Sequence, residues 1–492
     1  MDYANAWNKF STDSIDFLFK SKAIRSAALA RGEKMLYQHI VVKNEDNRPW
    51  PMQTARAKLI QNLLRTIDEA FGDGRISFKP RKAIIGNLVG RVIMDEKNRT
   101  DNFRSTYGFF PPFFLAIAPT KKCNLMCTGC YAASSSKDAE TLKYDVFNRI
   151  LREKKDLWGS YFTVITGGEP LLYRDSGKSL FDVLEDNSDN FFMMYTNGTL
   201  ITKDIAKRIA EYGNLTPAIS VEGFQKETDD RRGIGTHKRI MAAMENLRNA
   251  GVPFGVSITV TQKNAHIALR DDFVELYFKD QGALYGWIFQ YMPIGRGVAT
   301  DLMITPSQRL DLFKREQELI QETDLFLVDF WNGGLYSIGC ISAGRPGGYF
   351  YIDWSGNIAP CVFMPYYKEN IYDLYREDKT LNDVLFAPYF KAIRNWQNDY
   401  AYTQPPNKVG NLIAPCFFRD HFDMAYETIK HFQVEGLDKN ATAAINDHSY
   451  CSIMSNYGRS VQNLTDEIWQ EEFTGSYRQN VVAKKDNISS RG

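Results

Sequence analysis

The run Cys123-Asn-Leu-Met-Cys127-Thr-Gly-Cys130 puts three thiols on one short loop, and the rest of the fold has to be arranged around them. Cysteine thiolates hold iron-sulfur clusters, and closely spaced thiolates can reach three corners of a 4Fe-4S cubane without help from elsewhere. The fourth iron then stays open to a small chelating ligand, which points to chemistry rather than to electron storage. A zinc knuckle, or a set of reduced buried thiols, is the alternative reading of this octet taken alone.

About forty residues on, Thr163-Val-Ile-Thr166 reads as a buried strand of β-branched residues that ends in Gly167-Gly168-Glu169-Pro170. Glycines let backbone atoms approach a ligand closely, and a carboxylate beside them can pair with an ammonium group. By itself this tetrapeptide is weak evidence, because such clusters punctuate most loops. Its place one strand after the cysteines gives it weight. Strand patterns recur at 113–119, 161–166, 191–196, 216–221, 254–261 and 287–292. Helical spacing of apolar residues falls between them at 143–158, 202–212, 237–250 and 269–279. Six such units predict a partial parallel α/β barrel, that is, a partial (β/α)6 barrel. Barrel enzymes place their sites at the C-terminal ends of strands. The cysteine loop, the glycine turn, Thr196-Asn197-Gly198 and Ser220-Val221-Glu222-Gly223 all fall at such ends.

Residues 108–325 therefore resemble the radical S-adenosylmethionine (SAM) superfamily. The resemblance implies that Cys123, Cys127 and Cys130 hold a 4Fe-4S cluster and that SAM chelates the open iron through its amino and carboxylate groups. It also implies a SAM clamp at Gly167, Gly168, Glu169 and Pro170, with Asn197 at the next strand end. Ser220 and Glu222 offer a hydroxyl and a carboxylate to the ribose hydroxyls of SAM, with a capped turn as the equal alternative. Arg231 and Arg232 suit the SAM carboxylate, although a solvated charge pair is the favoured reading. Gln290 and the segment 291–297 resemble the last strand and loop of the family, facing substrate or adenine. One departure is Gly129, where the family has an aromatic or apolar side chain near the adenine; Tyr131 is the candidate to cover that ground. The implied activity is that of an oxidoreductase: reductive cleavage of SAM to methionine and a 5'-deoxyadenosyl radical, which abstracts hydrogen from an unactivated carbon. No general acid or base is singled out.

Four cysteines remain, Cys340, Cys361, Cys416 and Cys451. Between the first two, the apolar runs 348–353 and 357–361 flank Asp353-Trp-Ser-Gly356, a β-hairpin turn. This resembles the first half of a SPASM or shorter twitch extension, which carries auxiliary 4Fe-4S clusters. The later dense cysteine run of a full SPASM region is missing. The expectation is one auxiliary cluster held by Cys340, Cys361 and Cys416. Cys451 is either the fourth ligand or an unliganded thiol, and a zinc site or buried reduced cysteines remains the alternative for the group. The implied division is a helical region 1–107, a radical SAM core 108–325, an auxiliary-cluster domain 326–451 and a polar tail 452–492.

At 492 residues the chain is long enough for two or three well-buried domains, and its net charge of +1 names no nucleic-acid partner. Seven cysteines, odd in number and clustered as metal ligands, suit a reducing cytoplasm better than secretion. No signal peptide is read, and the most apolar stretch, 108–119, is too short for a span of about twenty residues. The first 105 residues read as helices, for example 14–39 and 53–71, with an excess of roughly seven basic charges. A helical cap on the barrel is the favoured reading of this region, and docking on an acidic partner or membrane surface the other. SPASM-type relatives often modify peptides or proteins, so a peptide or protein is the expected substrate, with a flavodoxin or ferredoxin-type electron donor. A lipid or other apolar small molecule is the alternative, suggested by the basic region and by Phe109-Phe-Pro-Pro-Phe-Phe114. A non-catalytic iron-sulfur electron carrier is the alternative from a different class.

Overall fold

The computed structural model describes residues 21–45 and 47–475. Its centre is a parallel sheet built from the predicted strands, each within two residues of its expected ends: β1 (Phe114–Ile117), β2 (Phe162–Ile165), β3 (Phe191–Thr196), β4 (Leu215–Val221), β5 (Gly255–Val260) and β6 (Gly286–Gln290). The strands pair in chain order, each parallel to the last. Helices cover the outer face, and their apolar positions recur at three-and-four spacing. In Tyr144–Trp158 the buried set is Phe147, Ile150, Leu151 and Trp158. Both faces of the strands are apolar because one packs on these helices and the other lines the inside of the curl. Leu115, Ile165, Met194, Ile219 and Ile258 take the helix side, while Phe114, Val164, Met193 and Tyr195 face inward.

The last predicted helix, 269–279, is irregular: Asp271–Val274 is α-helical and Glu275–Asp280 continues as a π-helical turn. The sheet also runs beyond the six expected strands. After the helix Pro306–Glu322, β7 (Leu327–Asp329) adds in parallel to β6. On the opposite edge the expected hairpin forms from β8 (Tyr349–Ile352) and β9 (Asn357–Ala359), followed by β10 (Glu369–Asn370). Its turn is held by Asp353, whose carboxylate accepts from the backbone N–H of Ser355 and Asn357 at 2.8 and 2.9 Å. Gly356 takes φ +82°, which a glycine adopts without strain. The hairpin is not a free-standing unit, since β8 pairs in parallel with β1, Phe114 opposite Tyr349 through Ile117 opposite Ile352. The run Tyr349-Phe-Tyr-Ile352 is buried throughout and so needs neighbours on both faces and both edges. The result is one ten-stranded sheet in the order β10-β9-β8-β1-β2-β3-β4-β5-β6-β7.

The N-terminal region caps the barrel as helices Lys22–Tyr37 and Trp50–Gly72. The second starts with Pro51 in its first turn, where the missing N–H costs nothing. Asn62, buried on its inner face, donates to the carbonyls of Ile320 and Leu325, both at 2.9 Å, and so joins the cap to the barrel. The expected helix 14–39 lies outside the described residues before 21. The expected polar tail from 452 is different in kind. His448–Ile468 is a helix that continues as Trp469–Gly475, with Met454, Val461 and Trp469 fully buried. Apolar residues three to four apart were diluted by Ser, Asn and Gln on the solvent face, which masked the pattern. Among the described residues no helix is long and apolar enough to cross a membrane.

The seam between hairpin and barrel generates a prediction. Phe350 is fully buried on β8, edge-on to Trp158 at 5.7 Å and to Phe390 at 5.5 Å. Phe350→Ala is expected to cost about 3–5 kcal/mol, seen as a lower urea midpoint; an unchanged midpoint would show that the hairpin is not part of the cooperative core.

Candidate active site

The cysteine loop leaves the C-terminal end of β1 and is held by backbone hydrogen bonds with three other segments and within itself. Gly168 N–H donates to Thr120 O at 2.9 Å and Glu169 N–H to Lys122 O at 2.8 Å. Thr128 N–H donates to Arg231 O at 2.9 Å, Arg296 N–H to Cys130 O at 2.9 Å, and Cys123 N–H to Ser135 O at 3.0 Å. The approach of the two loops excludes a side chain at Gly168, where a Cβ would lie 2.3 Å from Lys122 O. At Gly129 (φ +64°) a Cβ would lie 2.4 Å from the ring of Tyr291. Tyr291, not Tyr131, therefore fills the space beside Gly129. The Tyr131 hydroxyl instead accepts from Gly167 N–H at 2.9 Å and bonds the Thr166 hydroxyl at 2.6 Å.

Glu169 does not line the cavity. Its fully buried carboxylate accepts from the Thr196 hydroxyl at 2.8 and 2.9 Å, Asn197 N–H at 2.9 Å and Leu171 N–H at 3.2 Å. Burial pushes its pKa up, and these donors, with the charge of Arg232, pull against the shift. Glu169 thus ties the β2 turn to the β3 end, while Gly167 and Gly168 present backbone to the cavity and Pro170 is buried behind them. Asn197 lines the cavity and donates from Nδ2 to Cys123 Sγ at 3.8 Å and to Asn124 Oδ1 at 2.9 Å.

The pair Arg231 and Arg232 is not a solvated one. Both guanidinium groups donate to Glu222 Oε1, at 2.6 and 2.7 Å, and Arg232 Nη1 lies 3.9 Å from Cys127 Sγ. Glu222 is placed behind the wall by these contacts, whereas Ser220, Arg231 and Arg232 line the cavity. A buried carboxylate needs paired cations, and that need draws the arginines inward.

The sulfurs of the first set are surrounded by donors: Leu125 N–H to Cys123 at 3.4 Å, with Asn197 on the same sulfur and Arg232 on Cys127. Such donors and a nearby cation suit anionic cluster thiolates. Metal-free, burial pushes the Cys123 thiol up to about 12, so binding a metal centre must displace its proton. Among the described residues no three His, Cys, Asp or Glu side chains are placed to hold a single metal ion. The donor set fits an iron-sulfur cluster.

These groups open on a cavity of about 490 Å³ that runs along the inside of the sheet. Cys123, Cys127 and Cys130 lie at one end, and Phe114, Phe162, Phe191, Leu88 and Ile93 at the other. Gln290 is a polar exception in the wall. Its Nε2 donates to Asp329 Oδ2 at 2.8 Å, leaving Oε1 buried without a partner. Asp329 also accepts from Trp331 and Asn332 N–H, and its own N–H donates to Glu316. Burial raises both acids, and the charge of Asp329 adds to the rise at Glu316. Neither acid was singled out in the sequence, since they join only when β7 pairs with β6.

Of the remaining cysteines, Cys340, Cys361 and Cys416 converge and Cys451 does not. Burial pushes Cys416 well up and Cys361 up to about 12; the neighbouring thiols of the group add to both shifts. Cys361 Sγ is 3.0 Å from the Tyr349 hydroxyl and accepts Phe363 N–H at 3.4 Å; Cys416 Sγ accepts Arg419 N–H at 3.4 Å. Arg419 is fully buried, forms no ion pair among the described residues and leaves Nε and Nη1 without partners. Its guanidinium lies over the rings of Trp331 and Tyr457, 5.2 and 4.8 Å from their centroids, and donates to the Tyr457 hydroxyl at 2.8 Å. Cys451 lies in the helix His448–Ile468, with its thiol against the carbonyls of Ala444 and Ile445 at 3.9 and 3.7 Å.

Residues 117–268 match the family model described as Radical SAM superfamily. The AdoMet-dependent heme synthase of Methanosarcina barkeri is 32% identical over 195 residues, 39% of this chain and 54% of that protein, so the chain spans about half the length of this relative. Mycofactocin maturase MftC of Mycobacterium tuberculosis is 28% identical over 293 residues, 58% of this chain and 71% of that protein. The crystal structure of Streptococcus suis SuiB bound to precursor peptide SuiA aligns with a TM-score of 0.48 and 18% identity, covering 61% of this chain and 71% of that one.

Gly168→Ala would drive a Cβ into two carbonyls of the cysteine loop. The expected outcome is loss of iron from the first cysteine set after anaerobic reconstitution, with iron at the second set retained. Full iron in the variant would show that the two loops can separate without disturbing the thiols.

Proposed function

We propose, from the match of residues 117–268 to the Radical SAM superfamily model, that this chain abstracts hydrogen from a substrate carbon held in the cavity. A 4Fe-4S cluster with an open iron supplies the electron that cleaves SAM to methionine and a 5'-deoxyadenosyl radical. Cys123, Cys127 and Cys130 are the cluster ligands in this reading. The backbone of Gly167 and Gly168 receives the methionine end of SAM, and the Ser220 hydroxyl faces its ribose. Glu169 and Glu222 act behind the wall: the first fixes the glycine turn and the second holds Arg231 and Arg232 charged at the rim. The aromatic walls exclude water from the reacting carbon. The carrying observation is that three thiols, the glycine turn and Ser220 line one cavity. A pure electron carrier has no use for such a space.

The similarity to a maturase supports a peptide or protein substrate. In this reading its side chain enters the cavity, and a flavodoxin or ferredoxin-type protein is the electron donor. Cys340, Cys361 and Cys416 then hold the auxiliary cluster. A second reading, radical modification of a lipid or other apolar small molecule, is favoured by the phenylalanines at the far end of the cavity. Exposed apolar side chains on the N-terminal cap, among them Val42, Trp50, Phe78 and Ile93, would bring the protein to a membrane surface.

The expected outcome of anaerobic reconstitution and dithionite reduction is 5'-deoxyadenosine formation from SAM by the wild type and none by a Cys123→Ala, Cys127→Ala, Cys130→Ala triple variant. Isothermal titration showing no SAM binding to fully loaded protein would overturn the proposal in favour of an electron carrier. Flotation with anionic liposomes separates the two substrate readings: the membrane version of the lipid reading expects co-flotation that weakens when Trp50 and Phe78 become Ser.

A further inference from the structure

The two cysteine sets share a wall. Tyr349 lies in that wall, on β8 where it faces Phe114 of β1. Its ring stacks on Phe114 with centroids 4.9 Å apart and planes 3° from parallel, and meets Phe330 edge-on at 6.2 Å. Its hydroxyl, buried, lies 3.0 Å from Cys361 Sγ. A thiolate bound to iron can only accept, so the hydroxyl then donates. One side chain is thus both a surface of the substrate cavity and a hydrogen-bond donor to a ligand of the second centre.

We infer that Tyr349 is a positioning residue that raises the reduction potential of the auxiliary cluster held by Cys340, Cys361 and Cys416. The inference rests on the reading that this set holds a cluster. Cluster potentials respond to net charge and to hydrogen bonds on the sulfurs. A donor on a ligand sulfur favours the reduced, more negative state, and in a water-poor interior its effect is poorly screened. The ring stack fixes the direction of the hydroxyl, so the bond is maintained by packing. Phe363 reinforces the arrangement: its backbone N–H donates to the same sulfur while its side chain lines the same cavity.

The test is an EPR-monitored redox titration of the full chain, reconstituted anaerobically, without substrate. Tyr349→Phe removes the hydroxyl and keeps the ring. The auxiliary couple is expected to move to lower potential, while the couple of the cluster at Cys123, Cys127 and Cys130 stays in place. Repeating the titration in the Cys123→Ala, Cys127→Ala, Cys130→Ala background isolates the auxiliary signal. Tyr349→His, which keeps a ring and can donate, is expected to fall between wild type and Tyr349→Phe. An auxiliary couple unmoved in Tyr349→Phe at wild-type iron content would overturn the inference alone. Loss of auxiliary iron in both variants would overturn it in favour of a purely structural role. Iron for only one cluster in the wild type would overturn it together with the auxiliary-cluster reading, and would leave SAM cleavage at the first set standing.

Discussion

A single buried carboxylate organises the thiol-bearing end of the barrel. Glu169 accepts hydrogen bonds from Leu171, Thr196 and Asn197, and its backbone N–H donates to the cysteine loop at Lys122. Three segments that leave successive strands are thereby held in one register. The arrangement is costly to disturb, because any donor withdrawn leaves a buried polar group without its partner. The cysteine loop has little regular structure of its own between Thr120 and Thr141, so its shape is imposed by these neighbours. The same logic applies at the next strand end, where Glu222 collects two arginines and delivers one of them to the sulfur of Cys127.

Much of this was legible in the sequence because it is local. The strands are short β-branched or aromatic runs, and the two motifs lie at their ends. Roles that depend on which way a side chain turns were not legible. Glu169 and Glu222 carry the right chemistry for ligand contact, yet both turn away from the cavity to satisfy backbone and arginine donors. Tyr291 and Gly129 are far apart in the chain, and only the folded β6 loop shows that the ring needs the glycine. The β8–β1 pairing was hidden for a similar reason: a hairpin pattern records its own turn but not the edge to which it attaches. The C-terminal helix escaped because polar residues outnumber its buried Met454, Val461 and Trp469.

The cavity is a compromise between two demands. At the thiol end it needs donors and cations to match anionic sulfur, and Asn197, Arg231 and Arg232 supply them. At the far end phenylalanines line it with apolar surface. Gln290 stands between, its amide nitrogen held by Asp329 and its oxygen unpartnered.

The parallel pairing of β8 with β1 has a kinetic meaning. Domains joined by a flexible linker can vary the distance between their redox groups, and electron passage then waits on motion. Here Cys361 follows β9, β9 is hydrogen-bonded to β8, and β8 is hydrogen-bonded, rung by rung, to β1, the strand leading to Cys123. No hinge can open along such a ladder without breaking the sheet. The spacing of the two thiol sets is therefore a property of the backbone lattice, and the speed of any exchange between them would be governed by driving force rather than by conformational gating.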